Sequence, residues 1–514
     1  MGNQAKFIER ISASYNPKGA FIFLGAGLLH GEVVTGAKIN LPLRMMNRHG
    51  LIAGATGTGK TRTLQLMAEQ LADAGVPVFL LDVKGDLSGL SQPGELSPAL
   101  VERGEALEWP FVPSGFPVEL YSLSGKVGNP MRLTVGDFGP VMLARILELN
   151  DTQTGVLAAV FKYAEDNRLP LIDFADLKKL LTYLADGPGA EEIKDSYGRI
   201  SGSTSGTMLR KLVALEQQGV SGIFGEKEFD INDLFERVDG KGVISLLNIS
   251  DIQDQPVLFS TFLLSLLAQL FKNLPEVGDL DKPKLVFFFE EAHLLFKGAP
   301  KAFLMQVEQI VRLIRSKGVG VFFCTQSPTD IPESVLGQLG NRVQHALRAF
   351  TPNDAEALRK TVKTYPRSEF YEIDRILTSL GTGQALITVL NDKGIPTEVA
   401  ATHLIPPRAL MGPADERTYR QLVGASPFYA KYHQVVNRRS ASEILEERLR
   451  EHAAKTAKAE AAKQPTNASG RRSTRQTPLE AAQRAATTTL AREGTKLLAR
   501  LANGLLTAMF RKKR

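Results

Sequence analysis

Gly54-Ala55-Thr56-Gly57-Thr58-Gly59-Lys60-Thr61 follows the apolar run Leu51-Ile52-Ala53 and leads into Thr63-Leu64-Gln65-Leu66-Met67-Ala68-Glu69-Gln70-Leu71, a helical pattern. Strand, G-x-x-x-x-G-K-[ST] and helix, in that order, make a phosphate-binding loop in its required setting. The glycines let the backbone turn tightly, so that successive N–H groups point inward and cradle phosphate oxygens. The helix N-terminus adds partial positive charge, Lys60 is placed to reach the β- and γ-phosphates, and the Thr61 hydroxyl to ligate Mg²⁺. The expected nucleotide-binding set is Gly54, Ala55, Thr56, Gly57, Thr58, Gly59, Lys60, Thr61 and Arg62, with ATP and Mg²⁺ as cofactors.

Hydrolysis needs more than a cradle, and the second element lies far downstream. Lys284-Leu285-Val286-Phe287-Phe288-Phe289-Glu290-Glu291 reads as a buried strand ending in two carboxylates. Mg²⁺ prefers oxygen ligands plus retained waters, so Glu290 can hold the metal directly or through water. Glu291 can then orient and polarise an attacking water. Gln326 ends the next apolar run, Val319 to Thr325, where it can sense the γ-phosphate. Arg312, Arg315 and Lys317 sit on or just after the helix before that run. They either complement the helix macrodipole or supply an arginine finger to a neighbouring subunit, Arg315 before Arg312. Asp82, Lys84 and Asp86 fit a strand-end turn as well as they fit the site.

Working outward, 76–82 is a continuous apolar run ending in an acid, as in a buried parallel strand. Residues 90–135 are rich in Pro and Gly and read as irregular, and the pattern is helical from 137 to about 219. Gly242 to Asn248 is a returning strand, and 258–274 is a helix apolar nearly all round. Residues 384–390 and 396–400, joined by Asn391-Asp392-Lys393-Gly394, read as a terminal hairpin. Strands alternating with helices indicate an α/β protein with a doubly wound, mostly parallel sheet and an α-helical insertion. The expected division is 1–90 for the N-terminal strands and first part of the core, 91–240 for the insertion, 241–407 for the second part of the core, and 408–514 for a helical extension. Within the extension, 464–478 reads as a disordered linker and 479–510 as an amphipathic helix.

The single cysteine, Cys324, excludes a disulfide framework. No apolar run reaches bilayer-spanning length, the first residues lack a signal-peptide pattern, and Lys6 breaks a myristoylation motif, so a cytoplasmic protein without an integral membrane segment is expected. Net charge is +7 but uneven: residues 431–514 hold 19 Lys and Arg against 7 Asp and Glu, leaving 43 against 48 in residues 1–430. The basic balance therefore belongs to the tail, which could raise affinity for DNA phosphates, dock on a protein partner or meet an anionic membrane surface.

Asn47 to Thr61, Asp82-Val83-Lys84-Gly85-Asp86-Leu87, Phe289-Glu290-Glu291-Ala292-His293, Arg315-Ser316-Lys317-Gly318-Val319-Gly320 and Thr325-Gln326-Ser327-Pro328-Thr329-Asp330-Ile331 occur in this order. Together they resemble the HerA/FtsK superfamily of RecA-like P-loop motor ATPases, and more closely the bacterial HerA-like ATP-binding proteins. The resemblance spans about residues 40–405. It implies a RecA-like fold, a hexameric ring with ATP at subunit interfaces, and DNA translocation; the alternative is an ATPase motor or nucleotide switch acting on a protein partner or secretion machinery. By motif position it gives catalytic roles to Lys60, Glu291, Gln326 and Arg315, and metal-binding roles to Thr61 and Glu290. One difference stands out: Glu290-Glu291 replaces the usual Asp-Glu, and the extra methylene moves the metal-side carboxylate. The N-terminal β-barrel through which HerA contacts its nuclease has no room in about 20–40 residues, so that partner does not carry over.

Overall fold

The computed structural model describes residues 2–217, 220–297, 301–434, 436 and 438–462. Contacts divide the chain into residues 1–450, which hold the sheet and the site, and residues 451–514. In chain order the strands are β1 (Phe21–Leu29), β2 (Glu32–Pro42), β3 (Gly50–Ala53), β4 (Val78–Asp82), β5 (Val118–Ser122), β6 (Asn129–Pro130), β7 (Arg237–Val238), β8 (Lys241–Gly242), β9 (Ile244–Asn248), β10 (Leu285–Phe289), β11 (Val319–Thr325), β12 (Asn341–Gln344), β13 (Gln384–Thr388) and β14 (Ala400–Leu404). β7 and β8 pair only with each other; the other twelve form one sheet, ordered β2-β1-β14-β13-β12-β3-β11-β10-β4-β9-β5-β6. From β12 to β6 all pairings are parallel, and β13, β14, β1 and β2 add an antiparallel wing. This is the mostly parallel α/β sheet expected from the alternation of strands and helices.

The continuous apolar runs are explained by burial on both faces. Phe79 and Leu81, Phe287 and Phe289, and Val321 and Phe323 enter one core with the helical insertion and the helix Pro256–Asn273. The alternate residues Val78, Leu80, Val286, Phe288, Phe322 and Cys324 enter a second core with the helix Lys60–Asp73. Rings step across the first core: Phe79 lies 4.7 Å from Phe287, Phe287 5.9 Å from Phe289, and Phe289 5.6 Å from Phe323. Phe287→Ala should therefore cost about 3–5 kcal/mol, seen as a lower denaturant midpoint; an unchanged midpoint would mean that the core collapses to fill the hole.

Two expectations are corrected. Residues 90–135 are not irregular throughout: they contain the helix Pro98–Ala106 and the strands β5 and β6, which extend the sheet beyond β9. The terminal hairpin pairs β13 with β14, Gln384 opposite His403, so its second strand starts four residues later than 396. The Asn391–Gly394 turn is present, with the Gly394 N–H donating to the Asn391 carbonyl at 2.8 Å, but it caps only a bridge between Leu390 and Pro396. β12 has no apolar pattern; its Asn341 amide is satisfied inside the protein by the Met45 and His49 carbonyls at 2.9 and 2.8 Å. The extension begins with the helices Glu416–Ala425, Tyr429–His433 and Ala441–Ala462. The linker at 464–478 and helix at 479–510 lie outside the described residues, among which no helix is long and apolar enough to cross a membrane.

Candidate functional site

Because β3, β11, β10 and β4 are parallel neighbours, their C-terminal ends share one edge of the sheet. Register aligns Ala53 with Thr325, Phe289 with Phe323, and Leu81 with Phe289. The phosphate-binding loop, the carboxylate pair and Asp82 thus leave the sheet side by side.

The loop is held from below. Gly54 has φ +153°, and a Cβ there would meet the His345 side chain at 2.5 Å, so both conformation and space require glycine. The Ala55 N–H donates to the Ala346 carbonyl at 2.8 Å, and His345 Nε2 shares a 2.8 Å hydrogen bond with Thr63 Oγ1. Burial pushes His345 down to about 4, which keeps the ring neutral beneath the loop. Lys60 Nζ donates to the Ala55 carbonyl at 3.1 Å, and burial lowers its pKa. From the antiparallel wing, the Gly383 N–H donates to the Thr58 carbonyl at 3.2 Å. Arg103 fixes that approach by donating to the carbonyls of Gly383 and Leu404.

Thr61 Oγ1 donates to Glu290 Oε1 at 3.0 Å. Glu290 is 3% exposed, and burial, then Asp86 and Asp82, push it up to about 7. Asp82 accepts from the N–H groups of Gly85, Asp86 and Leu87 at 2.7, 3.1 and 3.2 Å, while burial raises it to about 6. Glu291 sits at φ +49°, with Lys84 Nζ 3.5 Å from one oxygen and His293 Nδ1 3.5 Å from the other. Lys60, Thr61, Arg62, Lys84, Asp86, Glu290 and Glu291 all line one cavity of about 300 Å³. An ammonium, a hydroxyl and buried carboxylates on one wall are the donor set that a phosphate chain with a hard divalent cation requires. A second, smaller cavity of about 150 Å³ shares Gly59, Arg62 and Thr382 with the first and is walled by Leu66, Leu100, Leu404 and Pro407.

The remaining candidates lie elsewhere. Gln326 is exposed just beyond β11 and is not on the cavity wall. Arg315 is exposed in the short turn Arg315–Lys317 at the opposite end of β11, about 20 Å away along a seven-residue strand. Arg312 is exposed on the helix Lys301–Ile314 before it. Neither arginine can act on the cavity of its own chain. His345, Thr382 and Arg103 carried no signal in the sequence, since His345 and Thr382 reach the loop from far downstream and Arg103 acts on it through Gly383, 280 residues away. Lys84 and Asp86, which fit a strand-end turn and the site equally well in the sequence, both line the cavity.

The profile of the family described as Helicase HerA-like C-terminal matches residues 28–511. The chain is similar to the DNA double-strand break repair helicase HerA of Sulfolobus acidocaldarius, with 22% identity over 388 residues, covering 71% of this chain and 67% of the relative. It is also similar to the same-named protein of Sulfurisphaera tokodaii, 22% identical over 369 residues that cover 68% of this chain and 64% of that one. The matched stretch thus spans about two thirds of these relatives' length. Among solved structures, the bacterial conjugative coupling protein TrwBdeltaN70 superposes with a TM-score of 0.51 at 14% identity, over 79% of this chain and 93% of that one. At that identity the likeness is one of fold.

Proposed function

The chain belongs to the Helicase HerA-like C-terminal family, and from that premise we propose that it is an ATP-hydrolysing oligomeric motor that translocates DNA in the cytoplasm. The observation that carries the reading is the contact between the loop and the strand-tip acids, Thr61 Oγ1 to Glu290 Oε1 at 3.0 Å, with Glu291 on the same cavity wall. It joins a phosphate cradle to the carboxylates that hydrolysis needs.

In this reading Lys60 and the N–H groups of the loop bind the β- and γ-phosphates, and the apolar side cavity receives the base. Thr61 and Glu290 would hold Mg²⁺, which offsets the charge that builds on the phosphates. Glu291 accepts a proton from the attacking water, and for that its oxygen must leave the Lys84 ammonium. Gln326, exposed beyond the end of β11, would have to turn toward the cavity to sense the γ-phosphate.

The exposed positions of Arg315 and Arg312 support a finger given to a neighbour in a hexameric ring. The same helix exposes Met305 and Leu313, apolar side chains that a subunit contact would cover. Arg315→Ala should lower turnover by about 10³-fold or more while labelled ATP still binds; retained turnover would pass the role to Arg312.

DNA as the substrate is tested by ATP hydrolysis on the size-resolved oligomer, with and without DNA. Salt-sensitive stimulation is expected, and no stimulation by any form of DNA would overturn the reading. A motor acting on protein is the second reading. It is favoured by the net negative charge of residues 1–430, which lines up poorly with a DNA-filled pore.

A further inference from the structure

Asp82, Asp86 and Glu290 each bring an oxygen within 4.8 Å of the others, and Asp86 and Glu290 line the nucleotide cavity. Register causes this: Leu81 pairs with Phe289, so the next residues, Asp82 and Glu290, emerge together. The Asp82 oxygens accept from the N–H groups of the following turn, including that of Asp86, and so fold Asp86 back over the pair.

Carboxylates this close repel unless something positive lies among them. Among the described residues no salt bridge reaches Asp82, Asp86 or Glu290; the Lys84 ammonium sits 3.5 Å from Glu291 and acts on Glu290 and Asp86 only through space. A second observation points to a ligand. Glu290 is 3% exposed, and although Thr61 occupies its Oε1, its Oε2 is buried with no hydrogen-bond partner. Asp86 Oδ1 is buried without a partner in the same way. Buried acceptors without donors are costly, and here two of them border one cavity.

We propose that Asp86, with Glu290 and Asp82, forms a divalent-cation seat that fills before nucleotide arrives. It rests on the nucleotide site proposed above and adds an order of binding to it: Thr61 and Glu290 alone suffice for a metal carried in by ATP, whereas Asp86 supplies charge for one already resident. An oxygen spread of up to 4.8 Å is a little more than twice the ~2.1 Å Mg–O distance, so the cation keeps water between itself and part of the set.

The test is titration of the full chain with Mn²⁺ alone, followed by electron paramagnetic resonance, with no nucleotide present. One Mn²⁺ per chain should bind with Kd on the order of 1 mM or tighter, Asp86→Asn weakening it by about 10-fold or more. Lys60→Ala should keep the Mn²⁺ site while losing labelled ATP, which separates this proposal from the nucleotide reading. Asp86→Glu, which retains the charge, should bind Mn²⁺ and controls for loss of folding, checked by circular dichroism. Mn²⁺ binding that appears only with nucleotide, or an Asp86→Asn titration identical to the parent, would overturn the seat. Mn²⁺ bound by a chain that never binds ATP would instead sink the nucleotide reading and leave the seat in place.

Discussion

Lys60→Ala should reduce ATP turnover to background and weaken binding of labelled ATP by ~100-fold. The ammonium is half-buried at the start of the helix Lys60–Asp73 and rests on the Ala55 carbonyl, inside the curve of the loop. The other cations on the wall are engaged before the reaction, Lys84 with Glu291 and Arg62 with Gln65. Its loss removes the positive charge from the place where the phosphates gather, while the loop stays anchored through His345 and Thr63. Equilibrium binding and steady-state hydrolysis on the same preparation check both parts. Retained binding would mean that the backbone N–H groups alone carry the phosphates.

Glu291→Gln should produce the opposite split. Labelled ATP still binds, and turnover falls by ~10²–10⁴-fold, the range for removing a positioned general base. The amide keeps the shape of the side chain but cannot take a proton from water, and it gives up the ion pair with Lys84. Single-turnover measurement separates the chemical step from product release. Unreduced hydrolysis would remove Glu291 from the role and point to another base on the cavity wall.

Much of this site could be read from local sequence because its parts are local. The loop from Gly54 to Thr61 is eight consecutive residues between a strand and a helix, and Glu290-Glu291 directly follow a run of five apolar residues. What could not be read is non-local. His345 lies 282 residues from Thr63, and Arg103 lies 280 from Gly383, so no window joins them. β12 can carry a buried polar residue because Asn341 is satisfied by the turn before β3, a contact that inverts the usual signal of a buried strand. β5 was hidden by the Pro and Gly around it. Asp86 was visible as an acid in a turn, but its place beside Glu290 follows from the β4–β10 register, which only the assembled sheet displays.

β11 begins just after the turn that holds Arg315 and ends just before Gln326. All seven of its residues are buried, and it is hydrogen-bonded on both sides, to β3 and β10. In a ring, such a strand would be a stiff rod with one end at its own ATP and the other at its neighbour's. On the reading proposed above, a push felt at Gln326 when the γ-phosphate departs would reach Arg315 with no intervening hinge to absorb it. Firing order around such a ring would then be written into the length of one strand.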